Sequence, residues 1–180
     1  FEMVEEAVYS EEEPYDLLEP AVFEAVSYTE GGDVDVISEN SHAHIKAEAI
    51  NAGGDNYADV LICAEGTLTV SDTGVDNVDT AVIEAVADNA YTNYASTRIG
   101  AEEGIQIIAA NGLAYISSMA QHGYSNTAET IVCTNGGVLV NAENNGEAAI
   151  ASMAFEGEIT DAYTGVCAVD DILVLAGIDA

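Results

Sequence analysis

The chain has 180 residues and a hydrophobic content of 49%, enough for one sizeable domain and outside the range of a disordered segment. It carries 33 acidic residues against Lys46 and Arg98 as its only Lys and Arg, a formal net charge of −31. With two basic side chains against 33 acidic ones, too few to neutralise phosphates, nucleic acid is close to excluded as a ligand and anionic membrane surfaces are disfavoured. The sequence contains no apolar run of about 18 residues or more, so no membrane insertion by a helix is expected.

The opening segment FEMVEEAVYSEEEPYDLLEP is acidic, closed by Pro20 and interrupted by Pro14. It reads as an acidic N-terminal arm over residues 1–20, and Phe1 to Tyr9 admits a short helix. The chain starts at Phe1 with no Met and no signal-peptide pattern, as expected of a mature secreted protein.

From residue 21 to 180 a single β-repeat domain is expected. The pattern Ala-x-(Ile/Phe)-x-(Ala/Ser)-x-(Ala/Ser) occurs as AVFEAVS from Ala21, AHIKAEA from Ala43, AVIEAVA from Ala81, AYISSMA from Ala114 and AAIASMA from Ala148. Recurrence at such spacing is the mark of stacked supersecondary units. Downstream comes a second shared block: ICAEGTLTV from Ile62, IGAEEGIQII from Ile99, VCTNGGVLV from Val132 and VCAVDDILVL from Val166. The first copy is followed only by EGGDVDVI from Glu30, which reads as lacking the strand before its turn. Ala81, Ile83, Ala85 and Ala87 fall on one face of a period-two pattern, and Val82, Glu84 and Val86 on the other. That favours strand over helix, including the helix-like stretch Asp76 to Val86. The expected fold is all-β: units of three strands and about 34 residues forming a β-solenoid or stacked β-arches, with a small β-propeller as the alternative. The small inner face implies close sheet stacking, since Ala is otherwise depleted in strands.

Cys63, Cys133 and Cys167 occupy one repeat position, with Gly100 in the remaining slot. Rungs about 4.8 Å apart bring Cys133 and Cys167 within disulfide reach if the compartment is oxidising. Cys63 is then left as a free thiol, available for a crosslink to another subunit. In a reducing compartment all three are core filler. The charge admits a solvated acidic coat, carboxylates bridged by Ca2+ or another divalent cation, or adaptation to salt. Asp72, Asp76 and Asp79 are the candidate metal ligands, although DTGVDNVD is not an EF-hand loop. No cofactor is required by any motif.

His42 and His44 share one face of a strand and suit a transition metal or simple exposure. The sequence Asp72-Thr73-Gly74 matches the Asp-Thr-Gly of aspartic hydrolases, but it has no second copy within the chain. Other catalytic motifs are missing, so no enzyme is expected. Tyr28, Tyr57, Tyr91, Tyr94, Tyr115, Tyr124 and Tyr163 read as strand ladders, with a sugar platform as the alternative.

The last segment, ILVLAGIDA, contains the apolar strand Ile172, Leu173, Val174 and Leu175 with no polar cap, an open edge of the kind that pairs with other chains. Short Ala-, Gly- and Asn-rich β units, sparse Lys and Arg, and occasional Cys from Ala21 to Leu175 resemble the amyloid-like tubular sheath proteins of methanogenic archaea. The resemblance implies a cross-β tube of the cell envelope and carries over no functional residue. The expected function is an extracellular structural protein that polymerises with copies of itself through strand edges. A secreted calcium- or carbohydrate-binding adhesin module is the alternative, and an aspartic-type hydrolase the distant one.

Overall fold

The computed structural model describes residues 22–38, 42–50, 54–74, 79–144 and 146–177. They form fourteen strands in a winding that visits three sheets in turn. The strands are β1 (Val22–Gly31), β2 (Val34–Ser38), β3 (His42–Ile50), β4 (Asp55–Ala64), β5 (Thr67–Asp72), β6 (Asp79–Asp88), β7 (Thr92–Ala101), β8 (Gly104–Ala109), β9 (Gly112–Gln121), β10 (Ser125–Thr134), β11 (Gly137–Ala142), β12 (Glu147–Phe155), β13 (Ile159–Ala168) and β14 (Ile172–Ala176). Sheet A runs β1-β4-β7-β10-β13, sheet B runs β14-β11-β8-β5-β2, and sheet C runs β12-β9-β6-β3. Every pairing is parallel and in register. This is a β-solenoid, not a propeller, whose blades would need antiparallel meanders.

The register shows why the sequence repeats. Ala43, Ala81, Ala114 and Ala148 are stacked neighbours on sheet C, as are Ile45, Ile83, Ile116 and Ile150. Ile62, Ile99, Val132 and Val166 form the matching column on sheet A, and Leu68, Ile105, Val138 and Ile172 that on sheet B. Strand alternation aims these residues inward; β3 alternates exposed and buried residues along its whole length. The helix-like stretch from Asp76 is strand from Asp79 onward.

One expectation is corrected by the topology. AVFEAVS is not equivalent to the other copies of its pattern: it lies on β1 in sheet A, where Val22 pairs with Asp55, whereas the others lie in sheet C. Its spacing of 22 residues to the copy at Ala43 is therefore the step from sheet A to sheet C within one coil. Coil-to-coil steps along sheet A are 33, 37, 33 and 34 residues, from Val22 to Asp55, Thr92, Ser125 and Ile159. The strand thought missing before EGGDVDVI is β1 itself. The acidic arm, residues 1–20, lies outside the described residues.

Polar side chains tie the coils where the core turns. Asn56, Asn93 and Asn126 are fully buried and stacked. Asn56 Nδ2 donates to Asn93 Oδ1 (3.1 Å) and Asn93 Nδ2 to Asn126 Oδ1 (2.9 Å). The same side chains donate to the Asp88, Gln121 and Phe155 carbonyls, satisfying the ends of β6, β9 and β12. Between sheets A and C, Thr97 Oγ1 donates to the Ser117 carbonyl (2.7 Å) and Thr130 Oγ1 to the Ala151 carbonyl (2.9 Å). Ser118 Oγ donates to the Glu129 carbonyl at 2.7 Å. These bonds pair most of the polar groups that a core of small residues admits, Asn56 Oδ1 at the end of the Asn ladder being left without a partner. At the turn before β11, a Cβ on Gly136 would fall 1.8 Å from the Glu103 carbonyl oxygen, so only glycine permits that approach.

Candidate functional site

The candidate assembly edge, Ile172 to Leu175, lies on β14, the outermost strand of sheet B. All five residues of β14 are exposed. Their ladder equivalents separate the effect of position from that of sequence. Leu68, Ile105 and Val138 are at most 1% exposed, yet Ile172, next in that column, is 46% exposed. Val70, Ile107 and Val140 are at 0%, and Val174 is at 44%. Each column is apolar throughout, and among the described residues no rung follows β14.

The exposed surface extends beyond the strand singled out from the sequence. Ile159 and Tyr163 on β13, Val169 in the following turn, and Met153 and Phe155 on β12 are exposed large apolar residues. Sequence inspection missed them because they stand at outward positions outside the inward repeat pattern: Ile159 stacks on Ser125, Tyr163 on Glu129 and Phe155 on Gln121, while Met153 continues Met119. Among the described residues, β1, β2 and β3 are likewise the outermost strands at the opposite end.

The cysteine column forms on sheet A as expected. Cys133 and Cys167 are paired rungs with a Cα separation of 4.6 Å and are joined by a disulfide. Cys63 is a free, exposed thiol, separated from Cys133 by Gly100.

Of the three acidic candidates, Asp72 is the one whose side chain the structure describes. Asp72 is buried, its Oδ1 accepts the Gly74 N–H at 3.0 Å, and its stacked partner on β8 is Ala109. It closes a turn, with Thr73 N donating to the Ser38 carbonyl. Asp72 Oδ2 has no hydrogen-bond partner. Asp76 lies outside the described residues, and Asp79 opens β6. Among the described residues no three His, Cys, Asp or Glu side chains group as a metal site.

Cations and rings sit on ladders. Arg98 on β7 donates to Glu129 on β10 at 2.7 Å and to the Tyr94 hydroxyl at 3.1 Å. Lys46 lies 2.9 Å from Glu48 and 3.6 Å from Glu84. Its ammonium is held above the usual lysine range by these carboxylates, which outweigh burial, the largest single influence and an opposing one. His122 bridges coils, with Nδ1 2.7 Å from Asp88 and Nε2 2.5 Å from Glu156. The hydrogen bond to Asp88 is the main cause of a raised imidazole pKa. Tyr91 and Tyr124 stack at 5.0 Å, and Tyr57 and Tyr94 pack tilted at 6.2 Å. Tyr115 donates to Glu147 at 2.6 Å, and burial with that bond pushes its pKa to about 12.

No helix among the described residues is long and apolar enough to cross a membrane. No protein-family model, curated protein or solved structure matches the chain.

Proposed function

We propose that this protein is an extracellular structural subunit that stacks end to end with its own copies into a filament, tube or sheath of the cell envelope. The observation that carries the reading is the exposure of Ile172 and Val174 in columns whose inner members are fully buried. Continuing the same winding would set β1 and β2 of a second copy against β13 and β14. Val34 would then follow Ile172 and Val36 would follow Val174, apolar on apolar. The contact is heterologous, and a solenoid axis extends it without closure. The disulfide supports an oxidising compartment.

The same stacking changes the role expected for Cys63. Glu30 precedes Cys63 in its column, so the rung after Cys167 would be Glu30 of the next copy. Cys63 would then stand two rungs, about 10 Å, from either bonded cysteine, beyond disulfide reach. A crosslink through Cys63 would have to run sideways between polymers.

Electron microscopy of the purified protein tests the proposal. Long polymers are expected from the wild type, and short or no polymers from Val174→Lys or from deletion of residues 171–180. A charge on an edge strand blocks strand addition. Polymers of undiminished length from both variants would remove the edge from the mechanism. Discrete wild-type particles stabilised by calcium or a glycan would instead favour an adhesin module.

A further inference from the structure

His42 and His44 occupy alternate positions of β3, so both side chains stand on its outer face. Their ring centroids are 5.2 Å apart. Both rings aim a nitrogen at one point, the Thr80 hydroxyl oxygen on β6: His42 Nδ1 at 2.7 Å and His44 Nε2 at 2.5 Å. A hydroxyl has one hydrogen, so it donates to at most one of the two imidazoles; when it donates to one and accepts N–H from the other, both rings hold the same tautomer, because His42 bonds through Nδ1 and His44 through Nε2. Two nitrogen donors converging on one position also describe half of a metal coordination sphere. An ion takes a position beside the Thr80 oxygen rather than on it, and χ rotation of the two rings would bring both nitrogens to the Zn(II)–imidazole distance of about 2.0–2.1 Å.

The geometry points to an open site for a divalent transition cation of the Zn(II) or Cu(II) class, held by His42 Nδ1 and His44 Nε2 beside the Thr80 hydroxyl. Imidazole nitrogen selects such ions over Ca2+ and Mg2+, which prefer oxygen donors. Among the described residues no third His, Cys or carboxylate completes the set. Water therefore fills the remaining positions, and the ion is exchangeable. Glu48 and Glu84 hold Lys46 nearby, and the net charge of −31 concentrates cations at the surface. His122 is engaged on both ring nitrogens by Asp88 and Glu156 and does not compete.

Zn(II) titration of the full chain, followed by histidine side-chain NMR with Ca2+ in excess to occupy carboxylates, tests the site. The His42 and His44 ring signals should shift together with one-to-one stoichiometry while those of His122 stay in place. His42→Ala and His44→Ala should each weaken binding at least tenfold, and Thr80→Val should retain it because the ligands remain. Equal Zn(II) affinity in the double histidine variant, or shifts of His122 alone, would overturn the assignment. So would loss of Zn(II) binding in Thr80→Val with the β signals of the fold intact.

Discussion

At the scale of single residues, two histidines respond to pH with opposite sign. His44 has a lowered pKa, chiefly from burial and then from His42 and Lys46, with Asp72 acting the other way. Folding therefore disfavours its charged form, and its contribution weakens as pH falls below the ordinary imidazole range. His122 has a raised pKa, chiefly from its hydrogen bond to Asp88 and further from the charges of Asp88 and Glu156. Its folded form binds the proton more tightly, so its stabilisation is fully present below the ordinary imidazole pKa and is lost as pH rises through the raised folded pKa. The side chain is about half exposed, so the effect is small and screened by salt. Replacing it with Gln should narrow the stability gap to wild type as pH rises, read by denaturant melts from about pH 5 to about pH 9, a range centred on imidazole titration. A gap constant across that range would assign the loss to packing or hydrogen bonding.

At the scale of elements, each coil is one inward-facing set of residues repeated, and position along the axis sets how much each member contributes. Ile107 on β8 has a rung on either side and no exposure; Val174 on β14 belongs to the same column with a rung on one side. Ile107→Ala should cost about 2–5 kcal/mol, as buried truncations do. Val174→Ala should cost about 1 kcal/mol or less in the unassembled protein. Chemical denaturation of both variants under non-polymerising conditions checks the ratio, and equal losses would mean that something covers β14 in solution. The coil was legible in the sequence because the solenoid demands like residues in each column. The alternation in AVIEAVA, the turn-flanked ICAEGTLTV block and the Cys133–Cys167 neighbourhood all follow from that demand. AVFEAVS was misplaced because sheets A and C both present small inward residues, and a local pattern does not say which sheet it lines. The Asn56, Asn93 and Asn126 ladder has no signal in the repeat pattern, because each Asn sits at the start of a sheet A strand, beside the turn that precedes it. Ser118 was read as merely small, although its hydroxyl bridges two sheets. Of the candidate site, the apolar strand Ile172 to Leu175 was visible from composition. The exposed residues of β12 and β13 were not, since they stand at outward positions that the inward repeat pattern does not describe.

At the scale of the whole molecule, the parallel stack sets like charges close together. Among the described residues, the ion pairs involve Lys46, Arg98 and His122 on one side and Glu48, Glu84, Glu129, Asp88 and Glu156 on the other. Most of the 33 carboxylates therefore have no cation to answer them. Their mutual repulsion acts through solvent over distances longer than a rung, so it is sensitive to ionic strength. Raising NaCl from about 0.01 M to about 1 M shortens the screening length from about 30 Å to about 3 Å, below the spacing between rungs. The compact state gains more from this than the expanded chain, whose charges already lie further apart. A gain of about 1 kcal/mol moves the melting temperature of a chain this size by roughly 2–4 °C, so a rise of at least that size is expected. NaCl and KCl should give the same curve, because screening depends on valence and concentration and not on the identity of the ion. A melt unmoved by either salt would show that the carboxylates do not oppose folding. A rise with millimolar Ca2+ that Na+ cannot reproduce at equal ionic strength would place the effect in bound divalent ions bridging carboxylates.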